Sequence, residues 1–392
     1  MYLNKYLRNN IKLLSLYNAF YNFRLHSVVA IIYFAQVTHS YALAISLFSI
    51  AQIAQAVLEV PSGIYSDRLG RSNCLRIGAF ASLLSIIFYA CGQSYLLLAI
   101  GAVFDGFNRA FFSGNNDALL YETLNSTGQK EKYHHELGKV NSNLELTGFI
   151  SAIVGSVFAT KSLQLLFLIS VIPQFFGLIV SLWFVEPLEI RENVESVFLH
   201  LKSALKSYRK NANIRHISLA SIIGFGIGEA SWSFQAVFYH SLLPVWAVSL
   251  MMSLNFLAST ISFRLSGKII NKIKAINVLI YQEIYSRVMN IIALVYPTIF
   301  SPVIMAISSL SYGPSTVAKS TLLQKEFTDK QRATMVSINS LIGNCFFAIF
   351  AVLIGIFADK FGPAKSLLLA QFCLLPVIYF YIKVKRKGLQ TQ

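Results

Sequence analysis

The chain has 392 residues, of which 55% are hydrophobic and only 13% charged, with a mean hydropathy of +0.58 and a formal net charge of +16. A soluble domain carries about a quarter charged residues, so a water-soluble globule is excluded. The 21 Gly and 9 Pro rule out low-complexity and collagen-like readings. Cys74, Cys91, Cys345 and Cys373 lie far apart in or beside apolar runs, as neither a disulfide framework nor a metal-ligand set. They read as small buried hydrophobes.

About 20 apolar residues suffice to cross a bilayer. Stretches of that kind are predicted at 14–36, 41–63, 73–93, 95–121, 139–160, 163–185, 214–239, 243–266, 276–296, 299–323, 334–358 and 363–383, here called spans 1 to 12. Span 1 carries Arg24 within its apolar run, and no small-residue cleavage site follows, so it does not read as a signal peptide. One connection is long. It begins at Glu186-Pro187, which stops span 6, and continues through a polar amphipathic stretch around Val197–Tyr208. The predicted organisation is therefore all-α: residues 1–185 as one six-helix bundle, 186–213 as an interdomain loop, and 214–392 as a second bundle.

The placement of Lys and Arg sets the orientation. With both termini cytoplasmic, inner segments hold 26 of the 33 basic residues. The outer loops hold Lys161, Lys360 and Lys365, and Arg24, Arg109, Arg287 and Lys319 fall within spans. The positive charge is thus an orientation signal that also attracts anionic lipid, and no nucleic-acid partner is implied.

Duplicated units are common in transporters. Gly63-Ile64-Tyr65-Ser66-Asp67-Arg68 follows span 2, and Gly267-Lys268-Ile269-Ile270-Asn271-Lys272 follows span 8. Both keep Gly, three residues, Asp or Asn, then a base. The first continues as Leu69-Gly70-Arg71-Ser72-Asn73-Cys74-Leu75 and resembles the loop signature of the major facilitator superfamily, G-x-L-a-D-R-x-G-R-[RK]-x-x-L. It departs at Tyr65, Ser66 and Ser72. The preceding Glu59-Val60-Pro61-Ser62 is similar to a form found in bacterial drug-efflux-like members. The resemblance extends to Ser113–Glu122 and to Arg332-Ala333-Thr334, and so covers essentially the whole chain. It implies twelve transmembrane helices in two pseudo-symmetric bundles, with spans 1, 4, 7 and 10 lining a central cavity.

Gly63 is expected to let span 2 approach a neighbour closely, and Gly70 to permit a tight turn. The resemblance further implies that Asp67 faces the start of span 11, where an anion favours the positive helix end by about 0.3–1 kcal/mol. Arg71 would reach Asp117. Together Glu59, Gly63, Asp67, Arg68, Gly70, Arg71 and Asp117 form an expected cytoplasmic gate. The competing reading is a set of solvated loop charges.

Charges inside spans are costly and usually face a cavity. Arg24, Asp105, Glu229 and Lys319 place one in each of spans 1, 4, 7 and 10, and Arg109 lies one turn from Asp105, within i,i+4 pairing reach. These five are the expected substrate and proton cavity. Asp105–Arg109 can equally be a structural pair, Arg24 and Lys319 can snorkel, and Glu283–Arg287 in span 9 reads as a structural pair. The role of Glu145 is open. Tyr17, Phe20, Phe23, Phe104, Phe107, Phe234 and Tyr312 are candidate pocket aromatics.

No HExxH or GxSxG occurs and the seven histidines are scattered, so no catalytic residue, metal site or cofactor is expected. A channel would show a selectivity filter or charge ring. The expectation is a monomeric inner-membrane transporter that exports a small organic compound, amphipathic or zwitterionic, in exchange for protons. Gly148 and Gly155, weakly similar to a Gly-rich antiporter signature and otherwise packing notches, lean the same way. Import of a nutrient on the same fold is the alternative, although Glu186-Pro187 is followed by Leu188-Glu189-Ile190 and not by a sugar-porter run.

Overall fold

The computed structural model describes residues 2–187, 212–326 and 329–390, which are helical with no strand among them. The helices are α1 (Tyr2–Asn22), α2 (Ala30–Thr38), α3 (Tyr41–Leu69), α4 (Arg71–Cys91), α5 (Tyr95–Phe112), α6 (Asn115–Ser126), α7 (Tyr133–Ala159) and α8 (Leu163–Leu182). After the long connection come α9 (Ala212–His240), α10 (Val245–Ile273), α11 (Ala275–Val295), α12 (Ser301–Ser308), α13 (Tyr312–Glu326), α14 (Asp329–Phe361), α15 (Pro363–Cys373) and α16 (Leu375–Gln390). Most of the loop predicted at 186–213 lies outside the described residues.

Nine stretches of these helices are long and apolar enough to cross a membrane. They coincide with the predicted spans except for spans 1, 5 and 10. Span 1 is interrupted by an irregular turn over 23–29. The first half of α7 carries His, Glu, Lys and Asn, which leaves only Leu146–Ala159 as an apolar helix. A 3₁₀ turn at Ser309–Ser311 divides span 10. Span 4 also bends, at Ser113-Gly114, where Gly114 has φ +74°.

The chain separates into two compact units, Met1–His39 with Leu47–Glu192, and Ser40–Ser46 with Asn193–Gln392. The second unit thus takes the first turn of α3. There the Asp359 carboxylate accepts from Ser40 Oγ (2.7 Å) and from the backbone N–H groups of Tyr41 (2.6 Å) and Ala42 (3.1 Å). In the first unit, Leu14, Tyr17, Leu75, Leu119, Leu124 and Phe184 form a buried apolar cluster. Large apolar side chains such as Val57, Leu96, Ile172 and Phe176 point outward, which suits hydrocarbon and not water. The same solvent accounts for the cysteines. Cys74 is buried as expected, but Cys91 and Cys345 are exposed, where a thiol is compatible with lipid.

Candidate substrate site

The site begins where α1 ends. An interrupted membrane helix leaves carbonyls without helical partners, which is tolerated only when other groups satisfy them or the segment lines a cavity. Here the Gln174 side chain of α8 donates to Phe20 O (3.0 Å), and Arg24 Nε donates to Tyr21 O (3.1 Å). The Leu25 N–H is taken by Ser170 Oγ at 3.1 Å, and His26 Nδ1 shares that hydroxyl at 3.1 Å. The His26 ring stacks on Phe167 at 4.4 Å. Gly155 of α7 adds room, because a Cβ there would meet Leu25 O at 2.6 Å. That contact supports the packing-notch reading of Gly155.

The turn aims Arg24 at α5. Its Nη1 lies 3.2 Å from Asp105 Oδ1, while Arg109 holds the other oxygen, Oδ2, through Nε and Nη2 at 2.8 Å each. The expected i,i+4 pair is therefore part of a trio. Arg24 Nη2 also donates to Ser82 Oγ (3.2 Å), and with the Asn108 amide turned over it donates to Asn108 Oδ1 (2.9 Å) while that amide donates to Gly78 O. Ser82 in turn donates to Gln174 Oε1 at 2.7 Å. Every nitrogen of Arg24 is thus engaged. Arg109 differs, because its Nη1 has no acceptor among the described residues. Side-chain exposure follows the same order: 9% for Asp105, 17% for Arg24 and 33% for Arg109.

These three side chains line a cavity of about 80 Å³ together with His26, Ser85, Tyr89, Phe34 and Phe48. The aromatic wall is not the expected one. Tyr17 and Phe234 are fully buried in packing, and Phe104 and Phe107 engage Phe88 and Phe111.

The loop between α3 and α4 is organised by a residue that the sequence presents only as a helix stop. The Glu186 carboxylate accepts from the N–H groups of Arg71 and Ser72 at 2.8 Å each, capping the start of α4. Gly70 has φ +98°, and a Cβ on it would lie 2.4 Å from Glu186 Cδ, so the turn requires glycine twice over. Arg71 Nε pairs with Glu122 Oε1 at 2.9 Å, and its Nη1 contacts Ser66. Glu122, and not Asp117, is the α6 partner of Arg71: Asp117 sits exposed in the first turn of that helix, while Glu122 is buried one turn further on. Gly63 also departs from expectation. It is exposed, and nothing among the described residues lies within 4 Å of a Cβ there, so it makes no close approach to any of them. Arg68 is exposed and Glu59 half-buried. The side chains of Asp67, Glu145 and residues 332–334 lie outside the described set.

A helical chain with this loop and this buried trio invites comparison with known proteins. The family model for the Major Facilitator Superfamily matches residues 13–346. The chain belongs to that superfamily. An uncharacterized MFS-type transporter of Methanocaldococcus jannaschii is 22% identical over 347 residues, covering 87% of this chain and 88% of that one. The uncharacterized MFS-type transporter YxaM of Bacillus subtilis is 22% identical over 372 residues, covering 88% of each. Among solved structures, a variant of the nucleoside transporter NupG aligns with a TM-score of 0.82 at 15% identity, covering 96% of this chain and 99% of that one. The POT family transporter PepTSo aligns at 0.77 with 9% identity, covering 97% and 98%. At such identities the structures establish the fold alone; the family match makes the chain a multi-pass membrane transporter of the MFS type.

The second unit of this superfamily member holds the other predicted charges. Glu283 Oε2 and Arg287 Nη2 of α11 lie 3.6 Å apart. Lys319 of α13 interacts electrostatically with both Glu283 and Glu229. Glu229 and Lys319 are each half-buried. Sequence reasoning missed Gln174, Ser82, Ser170, Asn108, Glu122 and Glu186. Three of these are lone polar residues in apolar runs, and that is the signal that could have found them, because an unpaired polar group is expensive in hydrocarbon.

Proposed function

We propose that the chain is a monomeric secondary transporter of the cytoplasmic membrane that exports a small amphipathic or zwitterionic compound in exchange for protons. The observation that carries this reading is the Arg24–Asp105–Arg109 trio lining a cavity beside an interrupted helix. An intramembrane carboxylate held by two cations has different hydration and different partners in different states of the transporter. Asp105 is therefore the proposed proton carrier, with Glu229 next, and Lys319 completes the charged set. Glu59, Gly63, Asp67, Arg68, Gly70 and Arg71 are proposed as the gate, with Glu122 in the place expected for Asp117. Asp67→Asn is expected to leave folding intact and to cut transport.

Everted vesicles energised to an acidic interior test the exchange. A transported compound should partly dissipate the proton gradient when added, and only in vesicles that contain the protein. If a broad panel of amphipathic and zwitterionic compounds leaves the gradient untouched, while the protein equilibrates one of them passively, proton-coupled export is wrong.

A further inference from the structure

The trio is not balanced in charge. Two guanidiniums share one carboxylate, and Asp105 is the only carboxylate among the described residues lining the cavity. The local charge is therefore at least +1. A net charge in a low-dielectric site costs several kcal/mol unless a partner offsets it, and no other side chain among the described residues lining the cavity offsets it.

The two cations are not equivalent. Arg24 is tethered on all three nitrogens, to Tyr21 O, Asp105 and Ser82. It acts as a fixed charge. Arg109 spends Nε and Nη2 on Asp105, keeps Nη1 unpartnered among the described residues, and is the most exposed of the three. A guanidinium edge free on one side, beside a second fixed cation, suits an oxyanion, which accepts its hydrogen bonds at charge-assisted strength. The cavity volume of about 80 Å³ seats such a group with little else. Tyr89, Phe34 and Phe48 present apolar surface for the portion attached to it.

We infer that the transported compound carries a carboxylate or phosphate-like oxyanion, and that Arg109 Nη1 is its primary ligand while Arg24 holds the field. This rests on the transporter reading but not on the direction of transport or the coupling ion.

The test is binding to the purified full-length protein in detergent, in dilute Tris–HCl buffer free of any oxyanion, followed by melting temperature. The probes are benzoate, inorganic phosphate, benzylamine and benzyl alcohol. Benzoate or phosphate should give a saturable upward shift, and the stronger of the two identifies which oxyanion the site takes. The cation and the alcohol should give none. Arg109→Gln should weaken the apparent affinity by about ten- to a hundredfold, the equivalent of one charged hydrogen bond. Arg109→Lys should stay within about tenfold of the parent, and Glu283→Gln should match it. The Lys variant keeps the test decisive if the Gln variant does not fold. A saturable shift with benzylamine, an oxyanion affinity unchanged in Arg109→Gln, or no shift with either oxyanion would overturn the assignment. Failure of the vesicle experiment with this binding intact would defeat the export reading alone.

Discussion

The two units each bury an acidic residue with a base one helical turn away, yet they treat the pair differently. In the first, each Asp105 oxygen is taken by a separate guanidinium, at 3.2 and 2.8 Å. Side chains from α4, α5 and α8 brace the assembly. In the second, Glu283 and Arg287 stand 3.6 Å apart, and Glu283 Oε2, Arg287 Nε and Arg287 Nη1 are buried without a hydrogen bond among the described residues. Counting Glu229 and Lys319, the second set has two charges of each sign, whereas the trio has a surplus cation. The braced and unbalanced cluster is the one proposed to take a ligand. A balanced and slack one resembles a structural pair, as the spacing of Glu283 and Arg287 suggests.

The largest effect should come from Arg24→Ala, which strips Asp105 of one cation and leaves the Tyr21 carbonyl only its longer bond from Gln174. Unfolding in detergent should show a loss of about 3–5 kcal/mol, because the charge-assisted hydrogen bonds of Arg24 to Asp105, Tyr21 O and Ser82 are lost together. A loss under about 1 kcal/mol would mean that the trio does not anchor the turn. Arg109→Ala should cost less, about 1.5–3 kcal/mol, since only its hydrogen bonds to Asp105 are lost while Arg24 still neutralises the carboxylate. Outside both clusters, Gly70→Ala forces a left-handed backbone on a residue whose Cβ meets Glu186, and should cost about 1–2 kcal/mol. The smallest change should follow replacement of the slack pair by Glu283→Gln with Arg287→Met. Poorly satisfied buried ions can be exchanged for apolar groups at no cost or with a gain. A clear destabilisation there would erase the contrast between the units.

Much of the frame was legible. Nine of the twelve predicted spans meet helices of suitable length and hydropathy, and the Asp105–Arg109 contact follows from a spacing of four on a helix. The interruption of span 1 was not legible. No Gly or Pro occurs between residues 14 and 36, so no local breaker announces it. The turn persists because Gln174 and Ser170, some 145–154 positions away, take over its backbone groups. Local propensity cannot report such partners. The same holds at the α3–α4 loop, where Glu186 reads as the end of span 6 but serves as the cap of α4 across 115 positions. For Arg71 the resemblance points to Asp117, and only the packing of α6 brings the buried Glu122 to it instead.

The central claim is that Asp105, held between two guanidiniums, couples transport to protons. The most direct measurement compares gradient-driven accumulation with gradient-free counterflow for Asp105→Asn in proteoliposomes, using a compound that stabilises the parent protein. The account predicts that accumulation falls to background while counterflow persists, because binding and alternation survive without the carrier. Accumulation against a gradient by Asp105→Asn would contradict it and move the carrier to Glu229.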